Sequence, residues 1–352
     1  MLKLRSGIVE SIAAAKSGPD LFQFLQSAVE LEHSTIPPYL TALYSIAPGK
    51  NGVVAGIIRT IVVQEMLHMT IACNVLNAIG GAPAINQPAK PGKPGFIPIY
   101  PGPLPMMVDD DLQVGLEKLS AQLVEKTFMR IEEPETPRHF PSAALAVAQK
   151  FPTIGAFYDA IIAKIRELSR QKNIFTGDPK RQVVDNDWFP PDQLFAVTDV
   201  DTAVRALTVI KDQGEGTTTD PLEAGGEPAH YYAFEEIIRG RRLVKDPKAP
   251  EGYSFTGAPV PFDPSAVIDI VSNSKANMYK QGSLARSGVD QANATYSNLL
   301  NALHETFNGS PSRLDDALGL MSEFRLVVLE KVVSVKDEQS GKFAAPAFEY
   351  VP

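Results

Sequence analysis

The sequence predicts an all-α protein. Apolar residues recur at three- and four-residue spacing in one segment after another, and no run of any length alternates with the two-residue period of a strand. Stretches rich in proline and glycine separate these segments, as is typical of loops between helices. The chain has 352 residues, of which 44% are hydrophobic and 21% charged. It is therefore long enough and apolar enough to bury a large core.

The first predicted helix covers residues 20–47. Asp20 is a candidate N-cap, and the apolar face recurs at three- and four-residue spacing from there to Leu43. Pro37 and Pro38 lie inside this segment. A proline within a helix removes a backbone hydrogen bond and kinks the helix. We therefore expect one bent helix here rather than two.

The second predicted helix covers residues 52–79 and ends at Gly80 and Gly81, which suit a left-handed C-cap. Residues 82–105 are too rich in proline and glycine to form a helix or a central strand, so they are expected to form a long ordered loop. A third helix is predicted over residues 109–133. It should stop there because Pro134 and Pro137 follow.

The rest of the chain continues the helical pattern. Asp199 is the expected N-cap of one of these helices. The further predicted helices cover residues 154–170, 199–216, 227–239, 264–281, 288–305 and 312–333. We predict two units: a four-helix bundle with inserted helices over residues 20–243, and a helical extension over residues 262–335 that packs on the bundle. The inserted segments are expected to form pocket walls or the surface of a homodimer.

Composition argues against several classes of function. A net charge of -8 disfavours nucleic acid, because binding to phosphate backbones needs clustered lysine and arginine. No uninterrupted apolar run of eighteen residues is present, so no membrane partner is expected. One cysteine, Cys73, excludes an intrachain disulfide. The first twenty residues lack the continuous apolar stretch of a secretory leader, so we expect a cytoplasmic location.

The chemistry is indicated by a repeated Glu-x-x-His motif. Glu65 and His68 lie one helical turn apart on an apolar face, where an unpaired carboxylate would be costly. One such motif is weak evidence for a metal. A second copy, Glu227 and His230, begins the sixth predicted helix. Two such pairs, with one further glutamate from each of two other helices, form the dinuclear carboxylate site of ferritin-like bundles.

Helical periodicity selects one of the two further glutamates, and position along the bundle favours the other. On the first helix, Glu32 fits the apolar face, whereas Glu30 is rotated by about 200° from it. On the third helix both Glu125 and Glu132 are candidates. Glu132 is favoured because the end of an antiparallel third helix would lie beside the start of the sixth, and Glu125 stays the alternative.

Five separated motifs also resemble a known family. They read ELEHSTIPPYLTALYSI, QEMLHMTIACNVLNAIGGAP, FMRIEEPE, PTIGAFYDAI and GEPAHYYAFEEI. In the same order, these resemble the ferritin-like domain of iminophenylpyruvate dimer synthases, the enzymes of violacein- and rebeccamycin-type bisindole pathways. The resemblance covers roughly residues 20–243. The family enzymes are much longer and carry large additional regions, whereas this chain adds only about a hundred residues after the bundle.

The resemblance and the spacing select the same ligands. The predicted metal ligands are Glu32, Glu65, His68, Glu132, Glu227 and His230. Carboxylate and imidazole ligands suit two iron ions, or manganese. We therefore predict a ferritin-like di-iron oxidase or oxygenase that uses O₂ on a small organic, amino-acid-derived substrate.

Two other interpretations are weighed against this one. The first is an iron-storage or ferroxidase-like protein, and the second is a bundle whose buried Glu and His residues only pair with one another. Tyr39 and Tyr231 are candidates for positions next to the ligands, the alternative for each being a tyrosine packed in the core.

Overall fold

The computed structural model describes residues 7–88, 95–106, 112–134, 153–184, 187–214, 220–223 and 225–352. Within them the α-helices are α1 (Ile8–Ala13), α2 (Phe22–Tyr44), α3 (Gly52–Ala78), α4, α5 (Ile154–Gln171), α6 (Val200–Gly214), α7 (His230–Arg239), α8 (Leu284–Phe307) and α9 (Leu314–Val327). Helix α4 has three contiguous pieces, Ala121–Leu123, a π-helical turn at Val124–Phe128 and Met129–Ile131. A second π-helical turn, Val328–Val332, continues α9. The prediction of an all-α protein is confirmed.

Short elements complete the fold. Strands β1 (Val244–Lys245) and β2 (Tyr253–Ser254) form one antiparallel pair. Turns of 3₁₀-helix occupy Gly18–Leu21, Pro179–Arg181, Pro264–Ala266, Ala276–Met278 and Pro311–Arg313.

Helix α2 continues through Pro37 and Pro38 as one helix. A proline at position 38 cannot donate to the carbonyl of Ser34, four residues earlier. The Tyr100 hydroxyl donates to that carbonyl instead, at 2.6 Å. Tyr100 thereby ties the proline-rich loop to α2, and the described residues of 82–105 are free of helix, as predicted. The predicted cap at Asp20 is wrong, because α2 begins after a 3₁₀ turn and the Asp20 carboxylate accepts from the Lys16 backbone N–H.

Helix α3 is the central helix of the fold and ends as predicted. Gly80 has φ +90°, and the Gly81 N–H donates to the Leu76 carbonyl at 2.9 Å. By length and composition α3 could cross a membrane, but the buried core helices of soluble proteins commonly meet the same criterion. Here it carries the buried Glu65 and His68 and packs along α2.

Helix α4 is shorter than predicted. Residues 109–111 lie outside the described residues, and residues 112–120 are extended rather than helical. Val114 pairs with Gly102 through two backbone hydrogen bonds, and the helix begins only where the Ser120 hydroxyl accepts from the Leu123 N–H. The apolar residues of 112–120 are buried although the segment is not helical. Their spacing therefore resembled that of the buried face of a helix.

The four helices that form the bundle are α2, α3, α4 and α7. Helices α2 and α3 form one pair, α4 packs on α7, and α3 contacts α7. Phe128 lies beside Phe234 with ring centroids 5.3 Å apart, while Glu132 lies beside His230. From Phe128 to Glu132 the chain advances four residues along α4, while the contacted residue on α7 moves back four, from Phe234 to His230. This shows the antiparallel pairing that the sequence analysis assumed.

Helices α5 and α6 pack on each other, and α6 also contacts α3. The Asp199 cap of α6 is confirmed, since its carboxylate accepts from the Thr202 N–H at 2.9 Å. Helices α8 and α9 pair at the C-terminal end, and Asn77 of α3 donates to the Phe307 carbonyl at 2.8 Å. Their apolar side chains belong to the same buried cluster as those of the bundle. The boundary between residues 243 and 262 stays a prediction.

The helix predicted over residues 264–281 is wrong. Only the two 3₁₀ turns named above occur there. Backbone groups between them pair with other segments: the Ile268 N–H donates to the Ser45 carbonyl and the Val271 N–H to the Phe343 carbonyl. These long-range hydrogen bonds replace the local ones of a helix.

Candidate metal centre

Five of the six predicted ligands meet inside the bundle. They are Glu32 on α2, Glu65 and His68 on α3, Glu132 at the end of α4, and His230 at the start of α7. Each is at most 5% exposed. Buried ionisable groups at this density need either mutual pairing or a bound cation.

The ligand atoms form two groups that share one carboxylate. Glu32, Glu65 and His68 form one group, and Glu65, Glu132 and His230 form the other. Within each group, atoms able to bind a metal lie within 4.8 Å of one another. His68 Nδ1 lies 3.4 Å from Glu32 Oε2 and 3.8 Å from Glu65 Oε1. His230 Nδ1 lies 2.9 Å from Glu65 Oε1 and 3.5 Å from Glu132 Oε2. Glu65 is thus placed between two half-sites.

Both histidines turn the same ring atom toward the carboxylates. The rings of His68 and His230 stack with centroids 5.4 Å apart, and each Nδ1 faces the glutamates. The opposite atoms have amide partners: His68 Nε2 lies 2.9 Å from Gln213 Oε1, and His230 Nε2 lies 3.1 Å from Gln64 Oε1. An imidazole whose Nε2–H donates to an amide oxygen keeps a lone pair on Nδ1 for a metal.

Hydroxyl groups hold the three carboxylates from outside the cluster. Tyr39 donates to Glu132 Oε1 at 2.5 Å, and Tyr158 donates to Glu32 Oε1. Thr35 donates to Glu65 Oε2 at 2.6 Å. Burial raises the pKa of both tyrosines well above its usual value, with a further contribution from the neighbouring glutamates, so the hydroxyls keep their protons.

The sequence analysis found some of these supporting residues and missed others. Tyr39 was a candidate for a position next to a ligand, and the structure places it there. Tyr231, the other candidate, packs against Tyr232 and not against the cluster. The analysis missed Tyr158, Gln64, Gln213 and Thr35. Gln64 directly precedes Glu65 and so points about 100° away from it around α3, which a search for residues sharing one face could not detect.

The protonation of the cluster reflects its charge and burial. Burial raises the pKa of Glu65 to about 7, with the nearby Glu132 adding to the effect. Burial alone would lower the pKa of each histidine, but adjacent carboxylates outweigh it. Glu32 raises the pKa of His68, and Glu132 with Glu65 raises that of His230 to about 10. Without a metal, the carboxylates thus retain protons on their histidine neighbours.

The donor set fits two divalent metal ions. His230 Nδ1 is fully buried and has no hydrogen-bond partner, although Glu65 Oε1 is close, because the two atoms are not aligned. Carboxylate and imidazole donors suit iron and manganese, and one shared carboxylate suits a bridging position. Two cations would also compensate three carboxylates held in a low-dielectric interior.

The structure does not bring Glu227 to this cluster. Helix α7 begins at His230, and the preceding residues are extended, with Pro228 bridged to Leu222. Residues three apart share a face only within a helix, so the second Glu-x-x-His motif does not place both side chains together. The Glu227 side chain is exposed instead. The prediction of Glu227 as a metal ligand is therefore corrected, because the fold keeps its side chain out of the cluster.

The choice on α4 favours Glu132. Its carboxylate is 5% exposed and lies in the cluster, whereas Glu125 is half-exposed and pairs with Lys126 at 3.2 Å. Seven residues separate the two glutamates, so on a regular helix they would lie on nearly the same face. Glu125 lies in the π-helical turn at Val124–Phe128, so the period of a regular helix does not hold between the two glutamates.

A bundle of four helices with such a cluster at its centre defines the ferritin-like class of carboxylate proteins. The chain belongs to the ferritin-like family, whose model matches residues 25–239. The resemblance noted in the sequence is thereby confirmed.

Two known proteins show what the chain is similar to. Dichlorochromopyrrolate synthase from Lentzea aerocolonigenes is 24% identical over 325 residues, which cover 86% of this chain. The same match covers only 30% of that enzyme, so this chain spans less than a third of its length. The crystal structure of a ferritin-like protein from Caulobacter vibrioides superposes with a TM-score of 0.61 at 25% identity, covering 95% of this chain and 98% of that one.

Proposed function

We propose that this protein is a non-haem di-iron oxidase or oxygenase that uses O₂ to oxidise a small organic, amino-acid-derived substrate. The observation that carries the proposal is the pair of three-residue ligand groups sharing Glu65. The relation to dichlorochromopyrrolate synthase supports an enzymatic rather than a purely structural role. Manganese is the alternative metal, since it accepts the same oxygen and nitrogen donors.

Iron bound at this site would supply one-electron chemistry and a position for O₂. Glu65 would bridge the two half-sites, while Glu32 with His68 and Glu132 with His230 would complete them. Metal binding requires each Nδ1 to be free of its proton, so loading the site releases protons. The protein also excludes bulk water, because all five ligands are buried.

Hydroxyl donors fix the ligand carboxylates in place. Each of Glu32 and Glu132 gives one oxygen to a tyrosine and keeps the other for the histidine side of the cluster. Glu65 gives Oε2 to Thr35 and keeps Oε1 toward both histidines. One oxygen of each carboxylate is therefore directed at the half-sites before any metal binds, which lowers the cost of ordering them.

A narrow cavity touches the cluster from the side of α5 and α6. Its walls carry Leu31, Ile131, Ile154 and Ile210, with the Lys211 chain at one edge. As bounded by described residues it holds about 20 Å³, enough for a molecule the size of water or O₂. An organic substrate would need these walls to part. The apolar lining suits an apolar substrate. The Lys211 ammonium group is paired with Asp159 at 2.7 Å, so it does not supply a free positive charge to the cavity.

Anaerobic loading with ferrous iron, followed by O₂, tests the proposal. Wild-type protein should bind two irons per chain and consume O₂, whereas Glu65→Ala should bind neither iron tightly, because both half-sites lose the shared carboxylate. The proposal fails if the two proteins retain the same amount of iron.

The same experiment separates an oxidase from an iron-storage protein. Storage predicts O₂ uptake that grows with each ferrous iron added beyond two per chain. An oxidase predicts continued uptake at fixed iron once a 2-oxo or 2-imino acid bearing an aromatic side chain is supplied with a reductant. Uptake that responds only to added iron would favour storage.

A further inference from the structure

Behind the two histidines lies a second set of polar side chains that converge on one residue. Glu223, in the short segment before α7, accepts a hydrogen bond from Gln64 Nε2 at 2.9 Å. Burial raises the pKa of this carboxyl, while the side chains of Gln64 and, more weakly, Gln213 lower it and so favour its ionised form. These are the same two glutamines whose amide oxygens face His230 and His68. One carboxylate thus lies behind both histidines, each through one glutamine.

The chemistry of the amide group gives this arrangement a direction. An ionised carboxylate only accepts hydrogen bonds, so each glutamine must turn its NH₂ group toward Glu223. Its oxygen then faces the imidazole, and that oxygen can only accept. Nε2 of each histidine must therefore carry a hydrogen. Nδ1 is left as the atom that meets the carboxylates of the metal centre, which agrees with its position in both rings.

Glu223 is itself held in place by the backbone. Its N–H donates to the Glu227 carbonyl at 2.7 Å, and its carbonyl accepts from the Gly226 N–H at 2.9 Å. These two backbone hydrogen bonds thus hold the Glu223 carboxylate between α3, which carries Gln64, and α6, which carries Gln213. Of the second Glu-x-x-His motif, Glu227 contributes its backbone carbonyl to this arrangement and not its side chain.

We propose that Glu223 is a positioning residue for the metal centre, which orients Gln64 and Gln213 and through them fixes both histidines with Nδ1 facing the metals. The metal-binding part of this inference rests on the proposed function. Its hydrogen-bonding part does not, and can be tested in protein without metal.

Glu223→Gln is the informative variant because it preserves size while it removes the charge and, with it, the fixed direction of the hydrogen bonds. A glutamine at this position can donate as well as accept, so the amides of Gln64 and Gln213 are free to turn over. An amide that turns its NH₂ group to the histidine favours a lone pair on Nε2 and a hydrogen on Nδ1. That state blocks the metal-binding atom.

Nitrogen–proton correlation spectra of ¹⁵N-histidine-labelled, metal-free protein, recorded above the raised pKa values of both histidines so that each ring carries one hydrogen, report which ring nitrogen holds it. We expect Nε2 of both His68 and His230 to be protonated in the wild type. In Glu223→Gln, a population with unprotonated Nε2 should appear at both residues. Gln64→Leu should change His230 alone and Gln213→Leu should change His68 alone. These two variants also test the idea if Glu223→Gln fails to fold. Unchanged spectra in all three variants would overturn the proposal.

Metal affinity provides the second measurement, with cobalt(II) as the probe. Partners that orient ligating histidines typically contribute about ten- to one-hundredfold to metal affinity. We expect Glu223→Gln to weaken both sites by that factor. Glu30→Gln is the matched control, because Glu30 is also partly buried and accepts from a glutamine, Gln26, but lies away from the cluster. Equal affinities for the two variants would contradict a positioning role.

The two measurements separate the two proposals. If the wild type binds no cobalt but shows the expected Nε2 protonation and its loss in Glu223→Gln, the positioning role stands and the metal proposal fails. If cobalt binds while the spectra are unchanged, the metal proposal stands and the positioning role fails.

Discussion

Removal of Glu132 is expected to empty one half-site and leave the other intact. Glu132 contributes to only one of the two ligand groups, whereas Glu65 contributes to both. The metal content worked from this geometry is one ion per chain in Glu132→Ala, one in Glu32→Ala and none in Glu65→Ala, against two in the wild type. Glu125→Ala is the matched control, because its carboxylate lies on the same helix but pairs with the exposed Lys126.

The fold should survive the loss of Glu132. The substitution leaves the Tyr39 hydroxyl buried without the acceptor that it has at 2.5 Å. Such an unsatisfied donor costs about 1–3 kcal/mol. Removing the negative charge beside Glu65 offsets part of that cost, since Glu132 helps to raise the pKa of Glu65. We therefore expect the unfolding free energy of metal-free Glu132→Ala to fall by about 2 kcal/mol or less.

Anaerobic loading, desalting and elemental analysis would measure the metal content of the four variants beside the wild type. Circular dichroism during urea denaturation would report on the fold of each one without metal. A loss of metal in Glu125→Ala with full occupancy in Glu132→Ala would refute the assignment. It would also contradict the antiparallel packing of α4 on α7.

Three further predictions follow from the same contacts. Glu227→Ala should leave metal content at the wild-type level, because this side chain is exposed; metal analysis showing a lost ion would return it to the ligand set. Tyr100→Phe should lower the unfolding free energy by about 1–2 kcal/mol, since the Ser34 carbonyl beside the helix prolines loses its donor. The control is Tyr350→Phe, which removes a half-buried hydroxyl that donates to Asn301 and should cost less in the same urea denaturation experiment. Metal-free protein should lose stability as pH rises, because Glu65 and His230 both hold their protons more tightly in the folded state. The pKa of Glu65 is 4.5 in the unfolded chain and about 7 in the folded one, and that of His230 is 6.5 and about 10. The stabilisation from each proton is therefore complete below the unfolded pKa and is lost as pH rises through the folded pKa. Metal affinity should rise over the same range, and urea denaturation with and without cobalt(II) would show whether the two trends have opposite sign.

Much of the candidate metal centre could be predicted from the sequence because its side chains follow the period of regular helices. Glu65 and His68 lie deep inside one unbroken helix, where a spacing of three places two side chains on one face. Glu32 was separated from Glu30 by the same reasoning. These predictions needed only the geometry of a single helix, which the local pattern of apolar residues already specifies.

Periodicity failed where the chain left regular helical geometry. Glu227 matched the motif letter by letter, but its helix begins three residues later. Residues 112–120 and 264–281 have helix-like apolar spacing, yet long-range backbone hydrogen bonds hold them in extended or irregular conformations. Spacing alone could not choose between Glu125 and Glu132, and the antiparallel pairing of α4 with α7 made that choice.

The amino-acid sequence by itself determined that this is an all-α ferritin-like protein and which carboxylates and imidazoles on regular helices could meet. Only the tertiary structure decided how those groups are supported. Tyr158 comes from α5, Gln213 from α6 and Glu223 from the turn before α7, and each reaches the centre from a different part of the chain. Helical periodicity reports which face of one helix is buried. Hydrogen-bond partners on separate elements depend on how those elements pack, so no single segment encodes them.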